Sequence, residues 1–122
     1  MIDPYAKEVV FLSGPYRSNT ENGIYQNIQT AREYAVKLWK QDYAVVCPHL
    51  NSAFMGGIVP DSVFLAGDLE ILKRCDAFCR LPYWADSEGA REEIAWAEAN
   101  GLKEVFVDEQ RHRLRVLNPR SL

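Results

Sequence analysis

The sequence predicts an α/β protein built on a small parallel sheet of four or five strands, doubly wound so that helices cover both faces. Two observations predict this fold class. Short apolar runs alternate along the chain with longer segments in which apolar residues recur at helical spacing. The apolar runs are continuous, which is typical of parallel strands buried on both faces. The expected architecture is Rossmann- or flavodoxin-like, with ligands bound beyond the carboxyl ends of the strands.

Apolar runs predict the strands, and periodic segments predict the helices. The first run stops at Ser-Gly-Pro and the second at Pro48. In the longest helical segment, Ile24, Ile28 and Ala31 recur at four-and-three intervals between polar residues. The predicted strands are Glu8–Gly14, Ala44–Pro48, Ala77–Leu81 and Glu104–Val107, with Arg111–Val116 as a fifth strand or an arm. The predicted helices are Asn19–Gln41, a segment from Pro60 to Cys75, and Gly89–Asn100, while His49–Val59 is an irregular loop.

Polar residues and glycine mark where two of these helices begin and end. Thr20 or Asn22 is expected to cap the start of the first helix. Ser87 is expected to cap the start of the third, and Gly101 to form its C-cap.

Length and composition predict one domain that spans residues 1–122. No repeat, linker or low-complexity tract divides the chain. The net charge of −3 argues against long nucleic acids as partners, because proteins that bind a phosphate backbone need clustered lysine and arginine. A small anionic ligand is compatible with this charge, since one or two local cations suffice to hold it.

Targeting and cofactor signals are missing from the sequence. The N-terminus lacks the pattern of a signal peptide, and no apolar stretch approaches the ~18–20 residues of a membrane span. Three cysteines predict reduced core thiols, so we expect a cytoplasmic protein with no membrane partner. Neither a dinucleotide fingerprint nor a Walker loop occurs, and the cysteines with His49 lack zinc spacing. We therefore expect neither a cofactor nor a metal.

The end of the first predicted strand is a candidate ligand site. Gly14 would let the backbone approach a ligand, Tyr16 could stack on a base, and Arg17 could clamp an anion. The alternative is a tight turn with a surface arginine.

Asp68 lies on the apolar side of the second predicted helix. A carboxylate buried there without a partner would cost several kcal/mol. It therefore either caps or pairs internally, or faces a cleft and does acid–base chemistry.

The third predicted helix places a serine and a glutamate six residues apart. Ser87 is explained by capping alone, although helix N-termini also hold phosphate and hydroxyl oxygens. Glu93 shares the inward phase of Ile94 and Ala97, which Glu92 does not. In the preceding loop, Trp84 either stacks on a nucleobase or covers the sheet edge.

An ordered set of motifs over roughly residues 8 to 101 resembles the nucleoside 2-deoxyribosyltransferase superfamily, which includes the 2′-deoxynucleoside 5′-phosphate N-hydrolases. The closest resemblance is to a small branch found in bacteria and phages. The motifs are FLSGPYR at Phe11–Arg17, the helix Asn27–Trp39, VCPHLN at Val46–Asn51, GDLEILKRCDA at Gly67–Ala77, and W-x-x-S-x-G-A-x-x-E at Trp84–Glu93.

The resemblance implies a function and a set of roles. Glu93 would be the nucleophile that attacks C1′ of the (deoxy)ribose, and Asp68 would orient the substrate and assist proton delivery. The implied activity is cleavage of an N-glycosidic bond through a glycosyl-Glu intermediate, by hydrolysis more than by base transfer. The alternative is a catalytically silent protein that binds or senses a nucleotide. The implied substrate-binding residues are Ser13, Gly14, Tyr16, Arg17, Ser87, Gly89 and Trp84.

The resemblance also bears on the substrate and on assembly. Serine at position 87 favours a nucleoside 5′-monophosphate, whereas the transferases have aspartate there and bind a free 5′-hydroxyl. Asp86 and Glu88 would repel a phosphate, so both substrate classes remain open. The family completes its pocket with the C-terminal segment of a neighbouring subunit, here near Leu117–Asn118. We therefore expect a homodimer or a larger homo-oligomer.

Overall fold

A computed structural model of the protein describes residues 6–107. It confirms the predicted fold class, because four parallel strands form one sheet between helices. The strands are β1 (Val9–Ser13), β2 (Ala44–Val46), β3 (Ala77–Arg80) and β4 (Lys103–Glu104). The helices are α1 (Glu21–Lys40), α2 (Pro48–Asn51), α3 (Asp61–Leu72) and α4 (Glu88–Ala99), and a 3₁₀ turn at Trp84–Asp86 precedes α4.

The strand order β2-β1-β3-β4 makes the sheet doubly wound. From β1 the chain passes outward to β2, then crosses back over β1 to build β3 and β4 on the other side. The pairing of Ser13 with Arg80 brings the carboxyl ends of β1 and β3 together. The winding direction reverses between these two strands, and open α/β sheets bind their ligands at such a reversal.

Two apolar clusters pack against opposite faces of the sheet. On one face, Tyr34 and Leu38 of α1 pack with Val10 and Leu12 of β1. On the other, Phe11 packs with side chains from α3 and α4, among them Leu72 and Ile94. Because side chains alternate along a strand, Ser13 shares the face of Phe11. The last residue of β1 therefore lies on the side of the sheet that α4 covers.

The helix ends follow the predicted capping pattern. The Thr20 side chain accepts a hydrogen bond from the Gly23 amide at 2.9 Å, and Thr20 is the N-cap of α1. Ser87 caps α4 in the same way, at 3.2 Å from the Ala90 amide. Gly101 has a φ of +71° immediately after Asn100, the residue at which α4 is capped. Glycine adopts this left-handed conformation without the steric cost of a side chain.

Several predicted boundaries differ from the structure. Strand β2 ends at Val46, and Pro48 begins α2 instead of ending a strand, since its fixed φ suits the first turn of a helix. Part of the segment 49–59, predicted as an irregular loop, is therefore helical. Strand β4 covers only Lys103–Glu104, although the next residue still donates its amide to Phe78 at 2.9 Å. The predicted segments Arg111–Val116 and Leu117–Asn118 lie outside the described residues.

Over residues 6–107, none of the helices is both long enough and apolar enough to cross a bilayer.

Phe11 provides a test of the packing between the sheet and α4. Its side chain is fully buried, so Phe11→Ala should lower the free energy of unfolding by about 3–5 kcal/mol. Phe54 is 83% exposed, and Phe54→Ala should change the same quantity by less than about 1 kcal/mol. Urea denaturation of both variants measures the difference, and equal effects would contradict the packing described here.

Candidate active site

A cavity of about 410 Å³ opens at the carboxyl edge of the sheet, beside the end of β1. Its walls come from the segment after β1, from α2, from α3 and from the start of α4. Seven of the nine predicted site residues line it, namely Gly14, Tyr16, Arg17, Asp68, Ser87, Gly89 and Glu93. The topology thus brings together residues that lie up to 79 positions apart in the sequence, from Gly14 to Glu93.

Glu93 occupies the buried wall of this cavity. Its side chain is 8% exposed, and it shares the inward face of α4 with Ala90, Ile94 and Ala97. The inward phase predicted for this residue is therefore confirmed. The hydroxyl of Ser13 donates a hydrogen bond of 2.6 Å to Glu93 Oε1. Ser13 is itself 1% exposed, so the end of β1 fixes the carboxylate in one position.

Burial raises the pKa of Glu93 to about 7. The hydrogen bond from Ser13 opposes this shift because it favours the ionised carboxylate. Repulsion from the charges of Asp68 and Glu92 adds to the shift. Burial alone raises the pKa of Asp68 to about 6. Near neutral pH Glu93 and Asp68 therefore hold on the order of one proton between them.

Asp68 faces the cavity. Within residues 6–107 its side chain forms no hydrogen bond or ion pair, so the alternative of an internal cap or pair does not apply to the described structure. The apolar side of α3 packs partly against the core and partly against the cavity. Leu72 is buried in the core, whereas Leu65 is 40% exposed and lines the cavity with Asp68. The helix thus packs on the sheet at one end and borders the ligand space at the other.

His49 is a site residue that the sequence analysis missed. Its side chain is 5% exposed and lines the cavity, and its Nε2 lies 2.8 Å from the carbonyl of Pro15. Because a carbonyl only accepts, Nε2 carries the proton and Nδ1 presents a lone pair. That Nδ1 is buried and has no partner among the described residues. Burial lowers the pKa of His49, although contacts with the Pro15 and Gly14 backbone oppose this shift. Because the pKa is lowered, the ring is neutral at pH 7.

Tyr16 packs against this histidine. The two rings meet edge to face, with centroids 5.9 Å apart. The Tyr16 hydroxyl accepts a hydrogen bond of 3.4 Å from the amide of Phe54. A signal for His49 was present in the sequence, since residues just beyond a parallel strand lie where these folds bind ligands. Because the segment after β2 was predicted only as an irregular loop, His49 was not assigned to the site.

Two glycines of the site serve close packing. A Cβ on Gly14 would lie 2.5 Å from the Cβ of Leu81, and one on Gly89 would lie 2.9 Å from Leu65 Cδ2. Gly14 was predicted for close approach to a ligand, but contact with Leu81 already requires it. Gly89 allows α4 to approach α3 closely, which closes one wall of the cavity.

Arg17 lines the cavity at its exposed side. Its guanidinium forms an ion pair with Asp61, the first residue of α3. Both side chains are more than half exposed, so this contact contributes little to stability.

Trp84 is not part of the cavity wall. Its ring lies under the guanidinium of Arg80, 4.6 Å from the ring centroid. Arg80 is 5% exposed and donates two hydrogen bonds to Glu104, of 2.7 and 2.8 Å. The contact of Trp84 with a substrate therefore has no support from the described cavity and stays a prediction. The position of Trp84 agrees with the alternative prediction, in which this ring covers the sheet edge. The ring contacts the face of the buried Arg80 guanidinium, a contact that helps to stabilise a buried cation.

Comparison with known proteins gives the family. Residues 8–107 match the family described as a domain of unknown function, DUF7768. The chain belongs to this family. No curated protein sequence matches the chain.

A solved structure shares the fold of this DUF7768 member. It is a 2-deoxyribosyltransferase from Bacillus psychrosaccharolyticus, with a TM-score of 0.57 and 16% sequence identity. The match covers 79% of this chain and 69% of the transferase. At this identity the likeness establishes the common α/β fold.

The raised pKa of Glu93 makes the stability of the protein depend on pH. A carboxyl whose folded-state pKa lies above its usual value stabilises the fold at low pH, and this stability is lost as pH rises towards the folded pKa. Between about pH 4.5 and 7 the loss should approach roughly 3 kcal/mol, at about 1.4 kcal/mol per pH unit. Glu93→Gln cannot ionise, so its free energy of unfolding should fall less over this range.

Urea denaturation at pH 5 and pH 8 measures this difference. Glu33→Gln is the matched control, because Glu33 is an exposed glutamate of α1 outside the cavity wall. A Glu93→Gln profile that parallels the wild type would contradict the burial of this carboxyl.

Proposed function

We propose that this protein cleaves the N-glycosidic bond of a nucleoside or nucleoside 5′-monophosphate, with Glu93 as the nucleophile and Asp68 as its partner. Hydrolysis is favoured over transfer of the base. The observation that carries the proposal is the buried Glu93 carboxylate, held by Ser13 at 2.6 Å in a cavity that Asp68 also lines. Two carboxyl groups in one cleft are the components of retaining glycoside hydrolysis.

The first step of the proposed reaction forms a covalent intermediate. A Glu93 oxygen attacks C1′ as the bond from C1′ to the base nitrogen breaks, and the electron pair leaves with the base. The protonated carboxyl of Asp68 supplies the proton that the departing base requires. In the second step, water attacks C1′ and releases Glu93, while Asp68 takes the proton of that water. The products are the free base and the free sugar or sugar phosphate.

The electrostatics of the cavity provide a proton that Glu93 and Asp68 share. The proposed mechanism needs one ionised and one protonated carboxyl, and the pKa values of about 7 for Glu93 and about 6 for Asp68 place roughly one proton on the pair near neutral pH. The Ser13 hydroxyl donates to Glu93 and so favours the ionised form there. Because the pKa of Glu93 still lies above that of Asp68, the shared proton lies mainly on Glu93 in the free protein, and the proposed mechanism requires its transfer to Asp68 before the attack on C1′.

The cavity also supports a nucleoside-sized ligand. Its volume of about 410 Å³ lies in the range of small-molecule sites, ~300–1,000 Å³. Tyr16 and His49 add aromatic surface to one wall, and the unpartnered His49 Nδ1 can accept a hydrogen bond from an N–H or O–H of the ligand. The shared fold with a 2-deoxyribosyltransferase agrees with chemistry on nucleosides. Assembly into a homo-oligomer and a cytoplasmic location remain predictions.

Replacement of the nucleophile provides the direct test. Glu93→Ala should lower base release by at least about 10³-fold, because covalent and electrostatic contributions are each worth several kcal/mol. The assay incubates the protein with nucleosides and their 5′-monophosphates and measures the free base by chromatography.

Glu92→Ala is the control for this test, since Glu92 lies on the same helix but outside the cavity wall. It should retain most of the activity, and circular dichroism should show that both variants are folded. Unchanged turnover in Glu93→Ala would refute the assignment. Binding by the wild type without any base release would instead favour a protein that binds or senses nucleotides.

Ser13→Ala tests the role of the hydroxyl that holds Glu93. Without this donor the ionised carboxylate loses stabilisation, so the pKa of Glu93 should rise further. The acidic limb of the kcat/KM profile should then move to higher pH, and kcat should fall by about 10–100-fold. Ser62→Ala, at an exposed position of α3 outside the cavity, is the matched control. A fall in kcat with an unmoved pH profile would contradict the electrostatic role of Ser13.

A further inference from the structure

The charges in the cavity wall are strongly unbalanced. Five carboxyl groups line it, whereas Arg17 is its one lysine or arginine among the described residues. The charge of Arg17 is already offset, because its guanidinium pairs with Asp61. The remaining carboxyl groups are those of Asp68, Asp86, Glu88 and Glu93.

The start of α4 supplies its own negative charge. Helix N-termini attract anions through free amides and the positive end of the helix dipole. Here Asp86 and Glu88 flank the capping residue Ser87, and both line the cavity. Arg91, a cation in the second turn, donates to the carbonyl of Ala85 at 2.7 Å and does not line the cavity. A ligand phosphate would therefore meet two carboxylates at the place where such a site would otherwise attract it.

An independent observation indicates what the ligand must supply. His49 is 5% exposed, and its Nδ1 has no partner among the described residues. An unpartnered buried acceptor is satisfied by an N–H or O–H donor. A nucleoside carries several such donors on its sugar and base. A 5′-monophosphate carries the same donors, so His49 favours a nucleoside moiety, and the selection against a phosphate rests on the carboxyl groups of the wall.

We propose that the cavity selects an uncharged nucleoside with a free 5′-hydroxyl over the corresponding 5′-monophosphate, and that Asp86 and Glu88 enforce this choice. The inference rests on the proposed function, because it names the substrate class of the same site. This inference opposes the expectation that was based on Ser87. In the hydrolases that the sequence resembles, a serine at this position accompanies a 5′-phosphate substrate. A phosphate in the cavity would also disfavour ionisation of Glu93, since like charges suppress each other's ionisation.

Binding tests the selection separately from catalysis. Glu93→Gln protein is titrated by calorimetry with matched pairs, each a deoxynucleoside or ribonucleoside and its own 5′-monophosphate. The nucleoside of the preferred base should bind at least about 30-fold more tightly than its monophosphate, because like-charge contacts across a binding site cost several kcal/mol. Equal or tighter binding of the monophosphate would overturn the inference, as would the absence of nucleoside binding at about 1 mM.

Charge-neutralising variants test which residues are responsible. Asp86→Asn with Glu88→Gln, introduced together in the Glu93→Gln background, should reduce the preference to less than about fivefold. The matched control removes two exposed carboxylates of α1, by Glu21→Gln with Glu33→Gln, and should leave the preference unchanged. A preference that survives the first pair undiminished would overturn the assignment to Asp86 and Glu88.

Salt dependence provides a second measurement, which does not require substitution of Asp86 or Glu88. Raising NaCl from about 50 mM to about 500 mM should narrow the difference in affinity between nucleoside and monophosphate, since salt screens exposed charges. A difference that stays constant or widens would count against an electrostatic origin.

The failure of this inference and the failure of the proposed function give different results. If the wild type releases base from monophosphates in preference to nucleosides, the substrate inference fails and the proposed chemistry stands. If nucleosides bind with the expected preference but no base is released, the proposed chemistry fails and the inference about the ligand stands.

Discussion

The hydrogen bond from Ser13 to Glu93 is the contact on which the proposed chemistry depends. A carboxylate that is almost fully removed from water is costly to ionise. In this protein the cost is offset only in part, by one donor at 2.6 Å, and the pKa of Glu93 remains raised to about 7. The group is therefore held in a fixed position without being locked in its ionised form. The proposed nucleophile would gain and lose a covalent bond in each cycle, and such a residue needs both properties.

The sheet makes this contact possible through its side-chain alternation. Phe11 and Ser13 lie on the same face of β1, and the first packs in the core beneath α4 while the second meets Glu93 at the rim. Close packing then fixes the surrounding walls. A Cβ at Gly14 would clash with the Cβ of Leu81, and one at Gly89 would displace the end of the Leu65 side chain. Core packing and site geometry thus depend on the same few positions.

The buried Arg80 and the half-buried Asp68 differ in how their charges are satisfied. Arg80 is fully engaged with Glu104 and with the rings of Trp84 and Phe78, on the side of the sheet that α4 covers. A buried ion pair of this kind needs complete satisfaction, or it destabilises the fold. Asp68 in the cavity wall has the opposite arrangement, since its carboxyl group has no ion-pair partner within residues 6–107. Unsatisfied charge is thus concentrated where a ligand can reach it.

The sequence by itself determined the α/β class, the first three strands, the capping of α1 and α4 and the inward phase of Glu93. These features depend on local patterns, such as a continuous apolar run or a threonine before a helix, which neighbouring residues do not override. Tertiary structure decided the rest. His49 acquires an unpartnered Nδ1 only because the chain before α1 presents the Pro15 carbonyl to its other nitrogen. Trp84 has the same local signal whether it faces a ligand or an arginine, and its contact with Arg80 depends on how β3 packs beside the turn that carries Trp84. Contacts between residues distant in sequence depend on how the elements pack, which no single segment encodes.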